Sequence, residues 1–438
     1  MSRSPKHALR SSANLTTARG VALYIGALLG PGLLLLPGLA AAEAGPAAIL
    51  AWLALLVLSG VFAGVFSALG KRYPSAGGVM EYVTAGLGQR AGLAAGWSFL
   101  AAVITGAPIV CLIGASYVTG LIGGGQLTRA AAAAALLLIV LALAAGGLRA
   151  STSAQLVLVG LLIGVVTLAV AGSARSASAA NWSPFAPHGW LSVGHAAATL
   201  MLSFVGWEAV APLTTRFANP SRQLPRVIAI ALAATTVFYL SLAVATTSVL
   251  GPGAATSIPL AGLLRHAIGT AGPAAAAAAA VVLTLGTTNA YITSAATMAR
   301  QLASPAAAAR RGRGPALTFL AAIAAAGLLL ITLYGLRLAD TASLVAVPTA
   351  LFLAVYLGCM IAAGRLLHGP VRMAAVPAAL AVIVMLAYCG WAICIPAVIA
   401  LAVAWRRRSQ RGDPRARAQA GAPARLAPPR AGERRHAA

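Results

Sequence analysis

Tyr24-Ile25-Gly26-Ala27-Leu28-Leu29-Gly30-Pro31-Gly32 sits inside the first long apolar run of the chain. Three glycines and one proline within seven residues cannot hold a regular helix, because Pro31 removes an amide donor and the glycines favour unwinding. A second interrupted run reads Ser203-Phe204-Val205-Gly206-Trp207-Glu208-Ala209-Val210-Ala211-Pro212. In lipid every backbone polar group must find a partner inside the protein, so such breaks are tolerated only where protein or a cavity surrounds them.

The lipid setting follows from composition. Of 438 residues, 60% are hydrophobic and 8% charged, against about 25% charged in soluble domains. That excludes an ordinary soluble enzyme and any disordered or fibrous class. Apolar runs of spanning length recur at 20–43, 47–69, 92–121, 130–147, 153–172, 194–217, 227–250, 272–299, 315–335, 342–366, 373–389 and 391–405. The expectation is an all-α polytopic membrane protein with twelve transmembrane helices. Residues 1–19 read as a cytoplasmic segment, 20–405 as the membrane domain, and 406–438 as a disordered basic cytoplasmic tail, too poor in bulky apolar residues to fold alone.

A net charge of +25 suggests a nucleic-acid binder at first, but its distribution excludes one. With the N-terminus inside, 27 of the 31 Lys and Arg residues fall in cytoplasmic segments, and only Arg129, Arg175, Arg265 and Arg337 fall outside. Cationic loops resist translocation, so both termini are expected in the cytoplasm, with anionic lipids meeting the basic face. Arg310-Arg311-Gly312-Arg313 and the run 406–408 read as lipid anchors. Cys111, Cys359, Cys389 and Cys394 all lie in apolar runs, form no Cys-x-x-Cys pair, and read as buried inert thiols with no metal or other cofactor.

The two breaks fall in spans one and six, the first helix of each five-helix half. A matched pair of interrupted spans is the sequence sign of a transporter's binding site. An unwound helix exposes amides at one half-helix end, where an anion gathers, and carbonyls at the other, where an ammonium can sit. Two such breaks side by side suit a zwitterion without any charged side chain.

The sequence resembles the amino acid–polyamine–organocation superfamily. The matching residues are the Gly26-to-Gly32 run, Arg72-Tyr73-Pro74-Ser75-Ala76-Gly77-Gly78, Gly96-Trp97, Phe204-Val205-Gly206-Trp207-Glu208, Asn219-Pro220 and Leu224-Pro225-Arg226, in order over residues 14–405. Within it the chain is most similar to bacterial methionine and branched-chain amino acid exporters. The resemblance implies a leucine-transporter-like five-plus-five inverted repeat, about 20–172 and 194–366, with extra helices at 373–405. It implies an amino acid site between spans one, three, six, eight and ten. The substrate carboxylate would meet amides around Gly30, Gly32 and Leu33 (Pro31 offers none). The ammonium would meet carbonyls of residues 24–27, Ala27 included, and 203–205, beside Ser203 and Gly206. Phe204, Trp207 and span eight, with Thr287, Thr288, Asn289 and Tyr291, would enclose the side chain.

Three departures stand out. Pro31 replaces a frequent serine or threonine, Arg216 stands where many members carry an acid, and residues 153–172 lack the lysine of some proton-coupled members.

The acidic residues are few. Glu208 is costly in mid-span, about 2.5–3.5 kcal/mol on insertion scales. It reads either as a protonatable coupling group or as a structural acid bonding the broken backbone. Glu43 and His195 read as interfacial, Glu81 as a surface or gate residue, and Asp340 as a solvated partner of Arg337. Trp97 could line the pocket. The expected function is secondary transport of neutral apolar amino acids in a bacterial plasma membrane, by efflux with proton antiport. An importer of amino acids or amines from the same superfamily, and more remotely a membrane enzyme acting on lipid-linked substrates, stay open.

Overall fold

The computed structural model describes residues 15–30, 32–73, 77–146, 152–208, 217–302 and 314–412. Pro31, the 209–212 end of the second break, Arg216, Arg310-Arg311-Gly312-Arg313 and the tail from Asp413 therefore lie outside the described residues. Helices dominate the rest. Leu15 and Phe217 make one isolated parallel bridge, and no strand occurs among the described residues.

The first apolar run divides into α1 (Thr17–Leu28) and α2 (Gly32–Ala44), followed by α3 (Ala48–Arg72). Thr16 caps α1 by accepting from the Arg19 amide, and Lys71 and Arg72 close α3 where the helix dipole favours cations. The short α4 (Val79–Leu87) leads into α5 (Gln89–Ile122). α6 (Gln126–Ala145) and α7 (Thr152–Ser173) complete the first half. The second half holds α8 (Ser192–Leu200), α9 (Pro220–Ala245), α10 (Pro259–Ile268), α11 (Gly272–Leu302), α12 (Gly314–Gly335) and α13 (Thr341–Leu366). α14 (Pro370–Tyr388) and α15 (Cys394–Gly412) follow. Among the described residues nine helical stretches are long and apolar enough to cross a membrane, one of them being the kinked run Thr17–Arg72.

The 34-residue α5 is the central post. It packs against α6, α11, α12 and α13, while α1 and α3 pack on α9, and α2 runs along α8. Buried apolar side chains from every part of the chain join in one core. Tyr117 of α5 crosses it: its hydroxyl donates to the Leu34 carbonyl at 2.6 Å and accepts from the Leu260 amide at 3.3 Å, tying α2 to the N-terminus of α10.

Several expectations shift. Between the expected spans 227–250 and 272–299 the chain forms α10, with Pro259 at its first turn and Gly269 just beyond its end as ordinary helix boundaries. Asp340 forms no ion pair with Arg337: it caps α13 by accepting from the Ser343 amide at 3.3 Å, and hydrogen bonding from the Ser343 side chain, helped by nearby backbone amides, holds its pKa below the usual carboxylate value. Cys394 is exposed, whereas the other three thiols are buried. Glu43 is half-buried and accepts a 2.7 Å bond from Thr199, joining α2 to α8, and His195 stacks edge-on against Tyr388.

Gly38 of α2 is a seat for the loop before α10. A Cβ there would stand 1.9 Å from the Thr256 carbonyl oxygen. Overpacking of this kind costs about 1–3 kcal/mol. Gly38→Ala is therefore expected to lower the melting temperature in detergent, and an unchanged melting curve would contradict the seating.

Candidate functional site

Both runs are interrupted among the described residues, and the first break is narrower than the sequence suggested. α1 stays helical through Gly26 and Ala27 to Leu28, and the chain bends at Leu29 and Gly30. The Leu33 amide turns back to the Gly30 carbonyl at 3.0 Å as α2 begins. At the second break α8 tightens into a 3-10 turn over Met201–Phe204, Val205 is extended, and Gly206 adopts φ 149° before a turn at Trp207 and Glu208.

The breaks touch at two glycines. A Cβ on Gly206 would lie 2.9 Å from the Ala27 carbonyl oxygen, in a conformation L side chains rarely adopt, and one on Gly32 would lie 3.1 Å from Ser203 Oγ. Tyr239 of α9 locks the same junction. The single proton of its buried hydroxyl is shared between the Leu28 carbonyl, at 2.6 Å, and the Ser203 carbonyl. These are the carbonyl ends of the two half-helices. Trp52 and Phe204 pack on the Tyr239 ring at 5.2 and 5.0 Å, sealing the hydroxyl from water.

Glu208 is buried beneath this junction. One carboxylate oxygen, Oε2, accepts from the Gly206 amide at 2.9 Å and from the Tyr356 hydroxyl at 2.6 Å. Its Oε1 is buried with no hydrogen-bond partner among the described residues. The acid thus satisfies an amide that its own break has freed. Phe62 and Phe66 hold the Tyr356 ring at 4.8 and 5.3 Å.

A cavity of about 90 Å³ opens beside the two breaks. A single water needs about 10–15 Å³, so the space is large enough for a small organic ligand or several waters. Along the breaks it is lined by Ala27, Leu28, Gly30, Gly32, Leu202, Ser203 and Val205, and α11 adds the hydroxyl-bearing Thr287, Thr288 and Tyr291. The rest of the wall is apolar: Ala102, Val103, Gly106, Ala107, Val110 and Ile113 of α5, with Phe352 of α13. Ser203 Oγ and Thr288 Oγ1 are buried without hydrogen-bond partners among the described residues, and Tyr291 reaches the Ala27 carbonyl only at 3.5 Å. Unpaired buried groups cost about 1–3 kcal/mol each, and both residues border the cavity. The described lining carries no charged side chain, which suits a ligand whose charges compensate each other.

Of the residues expected from sequence, Ala27, Gly30, Gly32 and Ser203 meet on the cavity wall. Leu33, Phe204, Gly206, Trp207 and Asn289 are not on it, and Pro31 lies outside the described residues. The Trp207 indole donates to Ser59 Oγ at 3.0 Å and packs on Tyr24, and Trp97 is 46% exposed. Sequence reasoning named spans three and ten as bordering the site without naming the α5 wall residues or Phe352, and it missed Tyr239 and Tyr356. Only the wall left a sequence signal, in the small residues Ala102, Gly106 and Ala107 at helical spacing.

Comparison with known proteins bears on this arrangement. The family model described as amino acid permease matches residues 15–426. The chain belongs to that family. Among relatives, an uncharacterized amino acid permease of Bacillus subtilis, YecA, is 30% identical over 89% of this permease and 94% of its own length. The L-methionine/branched-chain amino acid exporter YjeH of Escherichia coli is 29% identical over 91% and 97%. The branched-chain amino acid permease BcaP of Bacillus subtilis is 26% identical over 52% and 53%. The permease is therefore a multi-pass membrane transporter of amino acids and not an enzyme.

Removing the Tyr239 hydroxyl strands two buried carbonyls. Tyr239→Phe is expected to lose about 1–3 kcal/mol of stability for the unpaired groups, seen as a lower melting temperature in detergent. Thr332→Val, which removes an exposed hydroxyl bonded to the Leu328 carbonyl, should shift it far less. Equal shifts in the two variants would rule out the junction role of Tyr239.

Proposed function

We propose that this permease is a secondary active transporter of neutral apolar amino acids, of the methionine and branched-chain type, exporting them by proton antiport. The observation that carries the reading is the cavity at the touching breaks. Its hydroxyl-bearing residues suit the ammonium and carboxylate common to all amino acids, and its apolar wall suits an uncharged side chain. Likeness to an exporter of methionine and branched-chain amino acids over nearly the whole chain supports the substrate class and the direction.

The substrate site comprises the walls at Ala27, Gly30, Gly32 and Ser203, with Pro31 at the first break. Leu33, Phe204, Gly206, Trp207 and Asn289 back it from behind. Glu208 is the coupling group: its unpartnered Oε1 can take a proton while Oε2 keeps the Gly206 amide. Twelve spans form two inverted repeats, about 20–172 and 194–366, with extra helices at 373–405. The protein sits in a bacterial plasma membrane, its N-terminal segment and basic tail in the cytoplasm against anionic lipids. The 27-to-4 distribution of Lys and Arg supports that orientation.

The test is counterflow with purified protein in liposomes against each of the twenty amino acids. Methionine, leucine, isoleucine and valine are expected to exchange and charged amino acids are not. Absence of exchange with any amino acid would sink the reading. Under proton antiport, efflux should quicken as the outer medium is acidified. In Glu208→Gln that dependence should vanish while counterflow persists, and an unaltered dependence would remove Glu208 from coupling.

A further inference from the structure

α5 carries five glycines, and four have a packing reason. A Cβ on Gly92 would meet Thr84 Oγ1 at 1.8 Å, on Gly96 Met80 Sδ at 3.2 Å, on Gly114 Thr284 Oγ1 at 2.6 Å, and on Gly120 Ile258 Cδ1 at 2.6 Å. Neighbours crowd each of these positions. Gly106 differs. Its nearest neighbour would be Pro348 Cβ at 3.7 Å, an ordinary contact, and its backbone is not left-handed. Glycine inside a helix is destabilising relative to alanine, and nothing around Gly106 requires it. What the missing side chain leaves is space, because Gly106 lies on the apolar wall of the cavity.

The facing wall cannot retreat to replace that space. Pro348 belongs to the interior of α13, and one turn further Phe352 borders the cavity, its ring held edge-on by Phe99 at 6.0 Å. A side chain at position 106 would therefore start at Pro348, on the wall of the same cavity that Phe352 borders.

We propose that Gly106 is the size-determining position of the substrate pocket: its missing Cβ, opposite Pro348 and Phe352, leaves room for long or branched apolar side chains of neutral amino acids. The inference rests on the reading of the cavity as the amino acid site. It adds which residue sets the upper limit of the side chain, a limit that the resemblance to known permeases does not assign.

The experiment is counterflow in liposomes with alanine, valine, leucine and methionine, for the native protein, Gly106→Ala and Gly106→Val. One methylene of misfit in an apolar pocket changes discrimination by about 10–200-fold. Gly106→Ala is thus expected to weaken methionine and leucine at least tenfold relative to alanine, and Gly106→Val to exchange alanine but neither of the larger two. Gly114→Ala, at a crowded glycine, should lower thermal stability without altering the order of substrates. The proposal is overturned if Gly106→Ala keeps the native order, whether or not Gly106→Val folds. A native protein that exchanges no amino acid is a separate failure, that of the transport reading.

Discussion

A peptide group freed in the middle of a bilayer has no water to bond, so a broken membrane helix must carry its own replacements for the lost ladder. Here the replacements are few and identifiable. The Leu33 amide bonds the Gly30 carbonyl, the Glu208 carboxylate takes the Gly206 amide, and the Tyr239 hydroxyl serves the carbonyls of Leu28 and Ser203. What stays unpaired beside the cavity is the side-chain hydroxyls of Ser203 and Thr288. These bonds hold part of the broken backbone, and the two hydroxyls belong to residues that line the cavity.

Glycine serves two opposite purposes in this arrangement. At Gly206, Gly32 and Gly38 the missing side chain lets one backbone segment press on another. At Gly106 it leaves a gap that nothing in the protein fills. Close approach and void look identical in a sequence, and only the distance to the nearest neighbour separates them.

The same distinction governs how much of the protein could be read beforehand. Both breaks were legible, since glycine and proline mark unwinding by a local mechanism. The extent of the first was not: Gly26 and Ala27 remain helical because one glycine in a packed helix costs little. Ala27, Gly30, Gly32 and Ser203 were placed by the break pattern together with the family resemblance. Phe204 and Trp207 were read as pocket aromatics, yet they turn toward Tyr239 and Ser59, partners in other helices that no spacing along the chain reveals. Tyr239 and Tyr356 were invisible for the same reason. A lone tyrosine in an apolar run gives no hint that its hydroxyl ends at a carbonyl or a carboxylate far away in sequence.

Three ties connect the elements on either side of the two breaks. The backbones meet at Leu15 and Phe217, Tyr239 joins Leu28 to Ser203, and Glu43 holds Thr199. They act as rungs between two uprights. Lengthwise sliding of one upright past the other would shear all three at once, whereas a common tilt strains none. The two uprights are therefore held in register along their length.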